Sequence, residues 1–152
     1  MKLSPHFALT EMTASNTATR LRIDNTPPEE LVPRLILTAE MLERIRSTLN
    51  VPILITSGYR CATLNRAVGG VTSSDHAQGH AADFVAPGYG APSDVAATLA
   101  PLVSVLGIGQ IILEGIKGKQ WVHVSTHPPE KAINRVLTIT ESGVVAGIVR
   151  LA

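Results

Sequence analysis

The chain has 152 residues, of which 45% are hydrophobic, 16% charged and 3% aromatic; this is enough for one domain with a buried core and too apolar for intrinsic disorder. Thirteen Lys and Arg against twelve Asp and Glu leave a formal net charge of +1, so no broad basic footprint for nucleic acid is expected. The single cysteine, Cys61, excludes an internal disulfide framework and a Cys-rich zinc cluster, so any metal site must be built from His and carboxylate.

Residues 1–25 read as a polar, irregular segment packed on the domain, with Leu3, Phe7 and Leu9 as anchors. This opening has one Lys, an early Pro5 and no sustained apolar stretch, so it does not read as a signal peptide of the usual kind. No apolar run approaches the roughly 18–20 residues of a membrane span, and no stable membrane association is expected.

Thr26-Pro27-Pro28-Glu29 predicts a helix start, with Thr26 as N-cap, Pro27 at the first position and Glu29 completing a capping box. Leu31, Leu35, Leu42, Ile45 and Leu49 follow at helical spacing and predict one buried stripe. Glu43, Arg44 and Arg46 fall off that stripe and are expected in solvent. Asn50 is the expected stop. Val51–Thr56 predicts a strand, placed by Pro52 at an edge or at its first residues. Cys61–Val68 predicts a short helix ended by Gly69-Gly70, and residues 70–79 a loop.

Ala81–Val85 predicts a short strand. Ser93 is the expected cap of a helix running to about Leu106, tightened near Pro101 and stopped by Gly107. Gln110–Glu114 and Trp121–Ser125 predict two strands around a hairpin-like connection. Arg135–Thr140 and Val144–Arg150 predict another hairpin through Ser142-Gly143. Helices come first and strands cluster later. This order predicts an α+β fold: a single domain over 1–152, with a largely antiparallel sheet and helices packed on one side.

The chemistry concentrates in Ser74-Asp75-His76-Ala77-Gln78-Gly79-His80-Ala81-Ala82-Asp83. His76 falls in the loop, Asp83 in the strand after it, and Gly79 permits the turn between them. His123 lies in the strand Trp121–Ser125. Two neutral imidazoles and a carboxylate suit a divalent zinc ion, and three protein ligands leave a fourth position for a water whose pKa the metal lowers to about 7.

These residues resemble the zinc D,D- and L,D-peptidase family, peptidase M15, which includes D-alanyl-D-alanine carboxypeptidases, D-Ala-D-Ala dipeptidases and phage endolysins. The family motif Ser-x-His-x-x-Gly-x-Ala-x-Asp, followed by a Trp-x-His strand, is filled by Ser74, His76, Gly79, Ala81, Asp83, Trp121 and His123. Ser57-Gly58-Tyr59-Arg60 with Leu64-Asn65 also matches. So do Leu3-Ser4-Pro5-His6-Phe7 and Ile23-Asp24-Asn25-Thr26-Pro27, which resemble the small phage-type branch. The resemblance spans roughly residues 3 to 135.

It implies one catalytic zinc, in a cleft, held by His76, Asp83 and His123. It implies that Arg60 holds the substrate and polarises its carbonyl, and that Ser74 lies at the substrate end of the site. Many members carry a catalytic glutamate three residues before the second histidine, where this chain has Gln120, which cannot act as a general base. The phage-type branch tends to read Gln-x-Ile-x-Glu before the Trp-Val-His strand, and Gln110, Ile112 and Glu114 fill that pattern. Alternation supports the same residue independently. Ile111 and Leu113 face one way, and so do Val122 and Val124; if these apolar faces share the core, Glu114 and His123 share the opposite face. Glu114 is therefore the expected base.

The other histidines read as bland: His80 as a solvated or supporting residue, and His6 and His127 as surface residues, with a place near the site mouth as the alternative for His127, four residues past His123. Cys61 and Tyr59 read as packing residues.

The implied activity is hydrolysis of an amide bond in the peptidoglycan stem peptide, by a monomer. L-Ala–D-Glu, D-Ala–meso-diaminopimelate and D-Ala–D-Ala bonds all lie within the family's range. The expected role is that of a phage or prophage endolysin, made in the bacterial cytoplasm and reaching the wall after holin-type release. The alternatives are a wall-recycling carboxypeptidase or dipeptidase, and a non-catalytic zinc-binding virion or tail protein of the same fold.

Overall fold

In the computed structural model, which describes residues 1–152, six strands form one sheet: β1 (Leu54–Ser57), β2 (Ala81–Val85), β3 (Gln110–Ile116), β4 (Lys119–Ser125), β5 (Val136–Thr140) and β6 (Gly143–Ala146). Their order across the sheet is β1-β2-β4-β3-β5-β6. Every neighbouring pair is antiparallel except β3 and β5, which run parallel. The α+β expectation with a mostly antiparallel sheet is met. β1, preceded by Pro52, lies at the edge, where a missing backbone donor costs no ladder bond.

The strands present two chemically different faces. Ala82 and Phe84 of β2, Ile111 and Leu113 of β3, and Val122 and Val124 of β4 are buried on one side. They join a single apolar cluster with Leu35, Leu42, Ile45 and Leu49 of α3 (Val32–Leu49) and Val95, Ala96 and Leu99 of α5 (Pro92–Leu99). A fully buried Leu or Ile contributes about 1.5–3 kcal/mol, so this stripe is what fixes α3 on the sheet. The intervening strand positions, Asp83, Ile112, Glu114, Trp121 and His123, fall on the opposite face by the two-residue period of a strand.

Several local expectations are corrected. Residues 1–25 are not irregular: they form α1 (Leu9–Thr13) and α2 (Asn16–Leu21). Helices this short are marginal alone and are set by tertiary contact, here the burial of Phe7 and Met12 in the main core. Thr26 does not cap α3. Its amide is taken by Asp24 Oδ1 at 3.0 Å, and the chain enters α3 through a 3₁₀ turn at Glu29–Leu31. Asn50 does end α3, in the left-handed conformation at φ 55°.

Glu43 is not simply solvated. Its carboxylate accepts from Ser4 Oγ at 2.8 Å and from the His6 amide at 2.6 Å, with His6 Nδ1 at 2.8 Å. This pins the opening turn to α3. Ser93 does not cap α5; its hydroxyl accepts from Leu151 N at 2.9 Å and ties down the C-terminal segment, while Asp94 takes the Ala91 amide. α5 ends at Leu99 and continues as a 3₁₀ turn at Ala100–Leu102. β6 ends at Ala146; the Gly147 amide still donates in register to Val136 O at 2.8 Å, and Gly147, at φ 82°, then turns the chain so that Val149 N bonds Thr138 Oγ1 at 2.9 Å.

Candidate metal centre

β2 and β4 bring the first two site residues together. Asp83 and His123 are direct partners across these antiparallel strands, so their side chains rise side by side. His76 reaches them from the 70–79 loop. Asp83 Oδ1 lies 2.9 Å from His123 Nδ1 and 3.2 Å from His76 Nε2. All three side chains are buried, and their ligand atoms lie within 4.8 Å of one another.

Burial alone would raise the Asp83 pKa, but the two imidazoles outweigh it and hold the carboxylate far below its ordinary range. Burial likewise opposes charge on His123, and the hydrogen bond and charge of Asp83 overcome it, so that pKa is raised. A buried carboxylate between two inward-facing imidazole nitrogens is a donor set that fits a divalent ion.

Backbone contacts orient the histidine. His76 Nδ1 lies 2.7 Å from Gly58 O, which fixes that nitrogen as the protonated one and leaves Nε2 facing Asp83. The His76 amide is held by Ser74 Oγ at 3.2 Å, and the Gly79 amide returns to His76 O at 3.3 Å with Gly79 at φ 77°. Gly58 must be glycine because the chain passes against α1: an added Cβ would overlap the Met12 carbonyl oxygen. Gly58→Ala should therefore displace the carbonyl that orients His76. The expected cost is about 1–3 kcal/mol of stability, as for other overpacked sites, with weaker metal binding; thermal unfolding and metal titration read the two effects.

The turn carrying Arg60 is tied down by asparagines. Asn25, buried, donates from Nδ2 to Thr13 O and Tyr59 O, both at 2.9 Å, and its Oδ1 accepts from Cys61 N at 2.8 Å. Asn65, also buried, donates to Val71 O at 2.6 Å and presents Oδ1 to Arg60 Nη1 at 3.4 Å. Arg60 Nε is buried and has no protein partner. Burial lowers the Arg60 pKa, opposed by the charges of Asp83 and Glu114.

The β3–β4 register places Glu114 and Gln120 on different faces. Glu114 is paired with Trp121 and Ile112 with His123, so Glu114 lies diagonal to His123 on the same face, within reach of a long side chain. Burial raises the Glu114 pKa, and the Asp83 charge raises it further, against His123 and Arg60. Gln120 is an odd number of residues from His123 on an unbroken strand and so faces the other way; its amide donates to Ala152 O at 2.9 Å.

His76, Asp83 and His123 are thus brought together, and Glu114 shares the sheet face of His123. Ser74 differs: its hydroxyl is engaged with the His76 amide, and the neighbouring Ser73, not Ser74, lines the adjoining cavity of about 430 Å³. Asn25 and Asn65 stand within matched motifs, yet their structural role could not be read from those motifs. His127, expected to be an ordinary surface residue, lines the same cavity as His123.

Among known proteins, the sequence model of the Peptidase M15 family matches residues 5–125, a stretch that contains every residue of this centre. A search of curated proteins found no match.

Proposed function

Since the chain belongs to the peptidase M15 family, it is a metallopeptidase, and we propose that it hydrolyses an amide bond of the peptidoglycan stem peptide with one zinc ion held by His76, Asp83 and His123. The observation that carries this reading is the buried His-Asp-His group, with Glu114 on the same sheet face as His123. A zinc ion there would supply Lewis acidity and an activated water. Arg60, whose charge interacts with those of Asp83 and Glu114, steadies the negative charge that develops on the scissile carbonyl oxygen. Glu114 accepts a proton from the attacking water and returns it to the leaving amine. Its raised pKa strengthens it as a base. The active ionised form is present above that pKa and is lost as pH falls through it, so the acid limb of kcat/KM should lie above the ordinary carboxylate range of about 4.3.

We assign it an endolysin role, on the resemblance of residues 3–7 and 23–27 to the small phage-type branch. The test is mass spectrometry of products released from purified sacculi, with and without a chelator. Cleaved stem peptides that vanish on chelation and return with zinc are the expected result. Products unchanged by zinc removal would refute the metallopeptidase chemistry. Release of free D-Ala alone, without loss of sacculus turbidity, would replace the lytic role with a carboxypeptidase role.

A further inference from the structure

His127 is 60% exposed at its side chain, yet it is not loose. Its Nδ1 lies 3.1 Å from Asp75 Oδ1, its backbone amide donates to Ser125 Oγ at 3.0 Å, and its ring stacks on His80 with centroids 5.1 Å apart. Asp75 is itself held, because Ser125 Oγ donates to Oδ2 at 2.8 Å. Ser125 is fully buried in β4, so the whole network is anchored in the sheet. With Asp75 accepting at Nδ1, the neutral ring has its proton there, and Nε2 becomes an acceptor on the free edge.

The register locates this edge. Along β4 the positions run Trp121, His123 and Ser125, with His127 two residues past the strand's end, and β3 sets Glu114 opposite Trp121 and Gln110 opposite Ser125. Glu114 therefore lies toward the Trp121 end of His123, while Gln110 lies toward the Ser125 end, where His127 and Asp75 also stand. The cavity on this second side includes His123 itself. No lysine or arginine lines it. Gln110 has committed its amide nitrogen to Asn134 O at 2.8 Å, which leaves its oxygen as acceptor, and Glu130 adds a carboxylate. Acceptors thus predominate on this wall, and an amine is the complementary group.

We propose that His127, locked by Asp75, is a substrate-contacting residue that accepts a hydrogen bond from an ammonium group of the peptide, on the flank of the triad opposite Glu114. The inference rests on the stem-peptide reading above and narrows it to peptides carrying a diamino residue. Steady-state kinetics with the zinc-loaded protein test it, using a stem peptide with a free side-chain amine and a matched peptide bearing a methyl group in its place. The expected wild-type preference for the amine is about tenfold and lies in KM, as suits one hydrogen bond to a charged group. His127→Leu should abolish that preference through the KM of the amine peptide, and His127→Gln, which keeps an acceptor, should restore most of it. An amine preference equal in wild type and His127→Leu would overturn the proposal. Cleavage of neither peptide by wild type would count against the stem-peptide reading instead. Calorimetric binding of the same pair to wild type and His127→Leu then decides the role of His127: retention of tighter amine binding by the leucine variant overturns it.

Discussion

Glu114→Gln should lower kcat by about 10²–10⁴-fold while zinc content and fold stay intact, the range ordinarily supplied by a positioned general base. The substitution keeps the shape of the side chain and removes its ability to take a proton. Glu114 is not one of the three residues whose ligand atoms cluster, so metal should remain bound. KM should move little, because Arg60 and the opposite flank are untouched. The acid limb of the pH profile should also disappear, since the carboxyl whose burial raises its pKa is gone. Gln120→Glu is the matching control. Its side chain faces away from His123, toward the C-terminal segment, so a carboxylate there should not restore activity to Glu114→Gln. Wild-type turnover in Glu114→Gln, with zinc bound, would remove Glu114 from the mechanism.

The site was more legible in the sequence than were the supports around it, for a physical reason. A strand has period two, so the facing of Glu114 and His123 follows from the apolar partners Ile111, Leu113, Val122 and Val124. The same period explains why Gln120 stands outside the site. The loop from His76 to Asp83 is short enough for its residues to be read together. By contrast, Asn25 bonds Tyr59 across 34 residues and His127 bonds Asp75 across 52. No local periodicity connects such pairs. His127 therefore looks like any exposed histidine until the sheet places Ser125 and Asp75 beneath it. The N-terminal helices were missed because five- and six-residue helices carry little pattern of their own. The Thr26 cap failed because Asp24 competes for the same amide, a choice that side chains of this type make locally.

Asp83→Asn should have the largest effect on the metal centre. Outer supports of a metal site typically cost 10–100-fold in affinity when lost, and removal of the one anionic ligand should exceed that, leaving hydrolysis at background. Metal titration followed by product analysis reads both. The metal-free protein should also change. Asp83 is buried between two imidazoles, so the amide sacrifices charge-assisted bonds at 2.9 and 3.2 Å. Because His123 can shed its proton, no charge is stranded, and the expected cost is about 1–3 kcal/mol, the scale of a buried hydrogen bond left unmade.

The pH dependence separates this effect from a general loss of packing. The folded pKa of His123 is raised, so its stabilisation is complete below its unfolded value of about 6.5 and is lost as pH rises through the higher folded value. The folded pKa of Asp83 is depressed, so its stabilisation is complete above its unfolded value of about 3.9 and is lost as pH falls through the folded one. Metal-free wild type should therefore lose Tm relative to Asp83→Asn when pH climbs past neutrality, because only wild type has this stabilisation to lose. If the gap between the two proteins instead stays constant across that range, the Asp83–His123 bond does not carry the charge that this geometry assigns to it.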